Sequence, residues 1–129
     1  MVSFELFVLE DGIPIYLQII SWLKRGMVAG TVGHGDELSS RRVLSALLGV
    51  NPNTVQKAYR ILEEEGLIAS QSGAKSTVVL SPDSLRKIRR ELLEGQVKTL
   101  IAAMTQMGLS KEEALDLVDK FWQGGEKHE

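Results

Sequence analysis

The chain has 129 residues, 43% hydrophobic and 25% charged, a balance that suits one packed domain or a small domain with an appendage. It contains no cysteine, which excludes disulfides, thiolate metal sites and cysteine nucleophiles and suits a cytosolic protein. The longest helical pattern of its N-terminal third, residues 14–30, is interrupted by polar and charged side chains, so neither a membrane span nor a signal peptide is expected.

The net charge of −2 does not by itself indicate a nucleic-acid partner, but the charges are unevenly distributed. Residues 38–62 contain no acidic side chain and four basic ones, Arg41, Arg42, Lys57 and Arg60. In a chain rich in carboxylates, such a gap favours contact with an anionic partner. Chance on a solvated face is the alternative, and charge alone does not decide between the two.

A short strand and a helix are the first predicted elements. Apolar residues alternate with others over residues 2–9, at Val2, Phe4, Leu6 and Val8, which predicts a strand. Pro14 suits the first position of a helix and Gly30 suits its end, with apolar residues at helical spacing between them. Residues 33–36 form a glycine-containing loop.

Two short helices joined by a tight turn are predicted next. Ser39 is the expected N-cap of the first helix, and Gly49 is its expected end. Its expected core face consists of Val43, Leu44, Leu47 and Leu48. Asn51 and Pro52 fit the N-cap and first position of the second helix, which Gly66 ends. Apolar residues at steps of three and four form the expected buried stripe of the second helix, namely Val55, Ala58, Tyr59 and Leu62.

A β-hairpin follows the two helices in the prediction. Residues 67–69 and 77–80 are the expected strands, and the polar stretch between them, centred on Gly73, is the expected tip. Two short helices followed by a hairpin predict a winged helix-turn-helix.

The C-terminal third is predicted to be helical. A long helix is expected over residues 82–107, and Gly108 stops it. Ser110, with Glu113 three residues later, is a capping box that begins a last helix. Residues 124–129 are expected to be a frayed tail.

The second helix of the turn has the side chains that reading a DNA duplex requires. Its N-terminal part must present polar groups to base edges while its apolar stripe packs on the other helices. The polar and basic side chains off that stripe are Asn53, Thr54, Gln56, Lys57 and Arg60. Asparagine and glutamine can pair with adenine, and lysine suits guanine or phosphate. Alternatives stay open. Thr54 can cap the helix or bond back to its backbone, and Gln56 and Lys57 can be ordinary solvated residues. Arg41 and Arg42 can simply solubilise the preceding helix. Asn51 is better explained as a cap than as a base reader.

Four segments resemble the GntR family of bacterial regulators in their order and spacing. They are PIYLQI at 14–19, GDELSSRR at 35–42, LGVNPNTVQKAY at 48–59 and LEEEGLI at 62–68. The third segment and the short C-terminal segment are similar to the YtrA-like subfamily. The resemblance implies a mainly α fold with a small β-wing: a winged helix-turn-helix DNA-binding domain over residues 1–80 and a two-helix dimerisation segment over residues 81–129.

The resemblance also implies roles for matching residues and a biological setting. Arg42, with Ser40 beside it, aligns with a DNA contact of the family's second helix. Asn53 and Thr54 align with contacts of the third helix, and Gly73 aligns with the first glycine of the wing. Such regulators act in the cytoplasm, commonly repress, and often share operons with ABC transporter genes.

The chain departs from the family pattern at three places. Arg41 adds a positive charge where the family usually has an acid. The segment Asn51-Pro52-Asn53 replaces Ser-Arg-Asn, so the base-reading arginine of other subfamilies is missing and a different operator is expected. Lys75 replaces the second glycine of the wing, which disfavours close backbone entry into the minor groove and leaves contact with phosphate as the alternative.

A homodimer on a pseudo-palindromic operator is expected because one recognition helix covers few base pairs. The expected interface residues are Leu85, Ile88, Leu92, Leu100, Ile101, Met104, Leu117 and Phe121. Docking of this stripe on the winged domain is the alternative. No cofactor or metal is expected. Two helices of one subunit cannot enclose a typical small-molecule pocket of roughly 300 Å³ or more, so an effector is not expected within one subunit. Binding of an effector between two subunits stays open.

Two other classes of function compete with DNA binding. An enzyme is disfavoured because the two histidines, His34 and His128, lie in a loop and a tail, and no nucleophile motif or phosphate loop is present. A protein-interaction module remains a rival, since winged helices also bind proteins and the chain is net acidic.

Overall fold

The computed structural model describes residues 1–70 and 75–126, which contain five α-helices and three short strands. The chain divides into two compact units, residues 1–90 and the residues from Glu91 onward. The first unit contains three helices, the strands and the beginning of a fourth helix. The functional boundary at residue 80 stays a prediction.

Helix α1 spans Ile15–Ala29 and buries one apolar side. Pro14 occupies the N-cap position, one residue before its predicted place, with the φ near −60° that its ring imposes. Gly30 ends the helix in the left-handed conformation with φ 89°, as predicted. The buried residues recur at helical spacing and are Ile19, Ile20, Leu23 and Met27.

Residues 1–13 form an arm without helix or strand, so the strand predicted over residues 2–9 is wrong. Val2 and Phe4 are buried, but Leu6 and Val8 are 81% and 77% exposed, so the alternating apolar residues do not share one buried face. The Val2 N–H donates to the Glu37 carbonyl at 2.9 Å, but Glu37 belongs to a strand of only two residues. A strand that short offers no ladder for the arm to continue.

Two side chains of α1 fasten the arm. The Trp22 ring packs edge-to-face against Phe7, with 5.6 Å between the ring centroids. The Gln18 amide oxygen accepts the Glu10 N–H at 2.8 Å, and its nitrogen donates to the carbonyls of Glu10 and Ile13 at 2.9 and 2.7 Å. The arm is therefore an ordered part of the first unit.

Helices α2, Arg41–Leu48, and α3, Pro52–Glu64, form the predicted helix-turn-helix. Ser40 caps α2, since its hydroxyl oxygen accepts the Val43 N–H at 3.2 Å. The prediction of Ser39 as the cap is wrong by one residue, because the Ser39 side chain is buried and its hydroxyl donates to the Met1 sulfur at 3.5 Å.

The buried face of α2 is narrower than predicted. Leu44 is fully buried and Leu48 is half-buried, but Val43 and Leu47 are 51% and 68% exposed. The prediction was wrong for Val43 and Leu47 because this helix buries the polar Ser45 in place of a second apolar column. Gly49 ends the helix in the left-handed conformation with φ 68°, as predicted.

Helix α3 confirms the predicted buried stripe. Val55, Ala58, Tyr59 and Leu62 are each 0% exposed. Near the C-terminal end of α3, the Glu65 carboxylate forms an ion pair with the Lys24 ammonium of α1, with 2.8 Å between the oxygen and the nitrogen. Gly66 follows with φ 75°, and α1 and α2 both pack on this helix. The direction of α3 is therefore fixed by apolar contacts along its whole inner side.

The strands are β1, Glu37–Leu38, β2, Ile68–Ser70, and β3, Ser76–Val78. They form an antiparallel sheet in the order β1-β3-β2. The two predicted strands exist, although both are displaced by a residue or two from residues 67–69 and 77–80. The sequence did not indicate β1, because two residues cannot display an alternating pattern.

Helix α4 spans Pro82–Gln106, close to the predicted 82–107. Gly108 follows with φ 83° and ends it. Ile88 is buried in the first unit with 3% exposure, whereas the residues of α4 from Glu91 onward are exposed or half-buried.

Helix α5 spans Lys111–Glu126 and begins at the predicted capping box. The Glu113 N–H donates to the Ser110 hydroxyl at 3.2 Å, and the Ser110 N–H donates to the Glu113 carboxylate at 3.3 Å. Residues 124–126 are helical, so the tail predicted from residue 124 is wrong there. The remaining tail residues, 127–129, lie outside the described residues.

Candidate DNA-binding interface

The outward side of α3 carries the polar and basic side chains that the sequence singled out. Thr54 is half-buried, and the exposed members are Asn53, Gln56, Lys57 and Arg60. We call these five residues the recognition face. Because the opposite stripe is fully buried, the helix cannot rotate to hide them. The structure therefore brings all five together on one accessible surface, as a recognition helix requires.

Asn51 has a structural task at the start of α3. Its side-chain oxygen accepts the Asn53 N–H at 2.8 Å, and Pro52 occupies the first helical position. The cap satisfies a backbone donor that would otherwise have no partner within the helix. The structure favours the interpretation of Asn51 as a cap, which leaves its amide nitrogen and one lone pair of its oxygen for another contact.

Tyr59 ties the recognition helix to the start of α2. Its phenol is buried and donates to the Ser39 carbonyl at 2.8 Å. Burial raises the pKa of the Tyr59 phenol above its ordinary value, and the positive charge of Arg41 opposes that rise. The guanidinium of Arg41 lies 5.5 Å from the centre of the Tyr59 ring. Arg41 is thus partly engaged in packing, beyond the DNA contact predicted for it.

Arg41 and Arg42 differ in their surroundings although they are adjacent. The Arg41 side chain is half-buried, and its Nε has no hydrogen-bond partner in the described part of the chain. Arg42 is exposed at the first turn of α2, beside the half-buried Ser40. Arg42 is therefore the more accessible of the two cations.

Lys57 is paired with an aromatic ring of α1 that the sequence analysis did not single out. Its ammonium lies 4.0 Å from the centre of the Tyr16 ring, within the range of a cation–π interaction. Tyr16 lies beside a shallow depression of about 400 Å³, lined by Ile15, Tyr16, Asn51, Asn53, Thr54 and Lys57. Pairs between helices leave no periodic pattern, and the only sequence signal was a tyrosine just off the apolar stripe of α1.

The remaining predicted contacts lie at the edges of the recognition face. Arg60 has the Glu64 carboxylate 4.0 Å from its Nε, one turn later on α3, and both side chains are well exposed. Lys75 is exposed immediately before β3. The predicted wing contact Gly73 lies outside the described residues.

Comparison with known proteins gives the family. The family described as "Bacterial regulatory proteins, gntR family" matches residues 15–79, half of the chain. The HTH-type transcriptional repressor YtrA of Bacillus subtilis is 32% identical over 131 residues, covering 93% of this chain and 95% of that protein. The chain belongs to the GntR family.

Two further comparisons extend the match of this GntR regulator beyond the winged domain. YhcF of Bacillus subtilis, described as an uncharacterized HTH-type transcriptional regulator, is 36% identical over 90% of this chain and 96% of its own length. The solved structure of a GntR family transcriptional regulator from Listeria monocytogenes has a TM-score of 0.73 and 31% identity, covering 87% of this chain and 98% of that chain.

These comparisons confirm the predicted resemblance, including the likeness to YtrA, and the predicted winged helix-turn-helix fold. GntR regulators are DNA-binding transcription factors and not enzymes, so this chain is a DNA-binding regulator of transcription. No helix within residues 1–70 and 75–126 is both long and apolar enough to cross a membrane.

Proposed function

We propose that this GntR regulator is a cytoplasmic repressor that binds a pseudo-palindromic operator as a homodimer, with α3 in the major groove. The observation that carries the proposal is the recognition face, five polar or basic side chains backed by a stripe that is 0% exposed. A helix held this way enters a groove without rearrangement of the domain. Repression is proposed by likeness to the relative named a transcriptional repressor.

The proposed DNA contacts divide by the chemistry of their side chains. Base reading is assigned to the amide groups of Asn53 and Gln56, which can pair with adenine. Phosphate contact is assigned to the hydroxyl and cationic groups of Ser40, Arg41, Arg42, Thr54, Lys57, Arg60 and Lys75. Asn51 and Gly73 complete the set as the cap of α3 and as a residue of the wing.

The proposed dimer rests on the apolar side chains of the second unit. Among the residues from Glu91 to Trp122, large apolar side chains between 39% and 72% exposed are Leu93, Val97, Leu100, Ile101, Met107, Leu115, Leu117, Val118, Phe121 and Trp122. Leaving this surface in water is unfavourable, and a second copy of the chain would cover it. Of the predicted interface residues, Ile88 is already buried in its own unit, so the proposal rests on the others.

Footprinting on the DNA upstream of the chain's own gene tests operator binding and dimerisation together. The proposal predicts two protected half-sites whose centres are about one helical turn, or a multiple of it, apart. Protection should fade as salt is raised, because phosphate contacts release counterions. No protection of any fragment at low ionic strength, together with capture of a protein ligand, would favour the protein-interaction module.

A promoter fusion tests the sign of regulation and the setting of the gene. Deleting the regulator should raise expression from the protected promoter, and an unchanged or lowered signal would contradict repression. An ABC transporter operon as the target belongs to the proposal through the resemblance to YtrA-like regulators. Protected sites confined to promoters of other genes would contradict the ABC transporter operon as the target and leave the proposed operator binding unaffected.

A further inference from the structure

We infer that Tyr16 is a positioning residue that directs Lys57 onto a backbone phosphate of the operator. The inference rests on the proposed function. It deepens that function by assigning a role in DNA binding to a residue of α1, which lies outside the helix-turn-helix. It also chooses between the two targets that the sequence left open for Lys57, guanine and phosphate.

The contact between the two side chains is close, and it constrains Lys57 more than it constrains Tyr16. The Lys57 ammonium lies 4.0 Å from the ring centre of Tyr16, and no described carboxylate forms an ion pair with it. Tyr16 is half-buried, so the ring has less freedom than the exposed lysine chain. The ring therefore sets the direction of the lysine, and the reverse influence is weaker.

The surroundings of the pair suit an anion. The depression beside the ring is lined by one cation, two amides, a hydroxyl, a phenol and an aliphatic side chain, with no carboxylate among its six lining residues. Asn53 and Thr54 line it from the first turn of α3, where the positive end of the helix dipole also favours negative charge. A sugar–phosphate strand running past this edge of α3 would meet one cation and several hydrogen-bond donors, with no carboxylate among the lining residues to repel it.

The position of the ring decides what Lys57 can touch. The pairing holds the ammonium on the side of α3 that faces the start of α1. When a recognition helix lies in the major groove, its outermost side meets base edges and its flanks meet the backbone. Lys57 is therefore a phosphate contact. Because Tyr16 already restricts the conformations of the lysine side chain, Lys57 loses less conformational entropy when it binds the phosphate.

A double-mutant cycle on the footprinted operator tests the inference by fluorescence anisotropy. Lys57→Met should weaken binding equally across single-base operator variants and lower the salt slope by about one unit. Tyr16→Leu should weaken binding about two- to fivefold, the size of an exposed cation–π interaction. Tyr16→Phe keeps the ring and should bind like the parent chain. Tyr16→Leu added to Lys57→Met should cause no further loss.

A second readout is independent of DNA. The ring current of Tyr16 should shift the Lys57 ε-methylene protons upfield in the nuclear magnetic resonance spectrum of the parent chain and of Tyr16→Phe. The shift should vanish in Tyr16→Leu. Thermal unfolding of each variant shows whether the fold is retained, and the resonance test on Tyr16→Phe stands even if Tyr16→Leu fails to fold.

Several outcomes would overturn the inference alone. An equal loss from Tyr16→Leu in the Lys57→Met background would show that Tyr16 acts without the lysine. A loss from Lys57→Met confined to one base pair would show that the lysine reads bases. Unshifted ε-methylene protons in the parent chain would remove the pairing itself. Absence of any complex with the parent chain would instead overturn the proposed function, and the inference with it.

Discussion

At the scale of the residue, Tyr59 connects the recognition helix to the rest of the domain. Its ring belongs to the buried stripe of α3, and its hydroxyl reaches back to the Ser39 carbonyl at 2.8 Å. This side chain thereby adds a hydrogen bond to the apolar contacts that hold α3 in place. A buried hydroxyl or carbonyl that loses its hydrogen-bond partner lowers the stability of the fold, because neither group can bond to water instead.

Tyr59→Phe removes the hydroxyl and leaves the Ser39 carbonyl without that donor. The free energy of unfolding should fall by about 1–2 kcal/mol, the cost of an unsatisfied buried acceptor. Urea denaturation followed by circular dichroism measures it. Tyr16→Phe removes a phenol outside the core and is the matched control, expected to change stability little. Equal losses in both variants would contradict the role assigned to Tyr59.

The raised pKa of Tyr59 predicts a dependence of stability on alkaline pH. Burial makes the folded chain hold the phenol proton more tightly than the unfolded chain does. The contribution of this proton to stability is complete below the ordinary tyrosine pKa of about 10 and is lost as pH rises above it. Between about pH 8 and about pH 11, the parent chain should lose more stability than Tyr59→Phe. Parallel losses would contradict the prediction.

Arg42→Ala is predicted to weaken binding to all operator sequences alike. The exposed guanidinium is assigned to a phosphate, so the salt slope should fall by about one unit. Arg89→Ala removes an exposed arginine from α4 and is the matched control, with the slope expected to stay unchanged. A change limited to one base position would show that Arg42 reads sequence.

Single residues were predictable where their task is local. The cap at Asn51 and the stripe of α3 follow from short-range rules of helix geometry, and both are confirmed. The pairs Tyr59–Ser39 and Lys57–Tyr16 were not predicted, because each joins residues of different elements. Their distance depends on how helices pack, which one sequence does not specify.

At the scale of the element, α1 serves two neighbours with different sides. Its buried stripe is packed in the core of the first unit, and Gln18 and Trp22 hold the arm. The strand predicted for the arm was wrong because only Val2 and Phe4 of its alternating apolar residues are buried, in an irregular segment. The cap of α2 was displaced by one residue for a related reason, since two adjacent serines carry the same capping signal.

Gln18→Ala should loosen the arm without unfolding the domain. Three hydrogen bonds to arm backbone are lost, so amide exchange at Glu10 should become about tenfold faster, equivalent to about 1.4 kcal/mol. Gln96→Ala, an exposed amide of α4, is the control and should leave this exchange unchanged. Unaltered exchange in Gln18→Ala would show that the aromatic contacts alone hold the arm.

The whole molecule combines a DNA-binding winged domain with a helical segment. In the described structure, many large apolar side chains of that segment are exposed to solvent. The order of these parts was predictable, because helical periodicity persists over the long α4 and glycine marks its end. What covers the second unit was not predictable, since an apolar stripe has the same pattern whether it meets its own domain or a partner.

Phe121→Ser should weaken the proposed dimer. Phe121 is 69% exposed in the chain, so its replacement should spare the fold while the dissociation constant rises about tenfold or more. Sedimentation equilibrium measures the change. Leu6→Ser removes a side chain that is 81% exposed in the arm and is the control. A parent chain that is monomeric at micromolar concentration would contradict the dimer directly.

If the outward side of α3 reads bases, replacement of Asn53 should change which operators the protein prefers. The measurement is the affinity of the parent chain and Asn53→Ala for a set of operators substituted one base pair at a time. We predict a loss of about 1–3 kcal/mol on the original operator and a relaxed preference at one base pair in each half-site. Uniform weakening across all operators, or unchanged affinity, would contradict the claim.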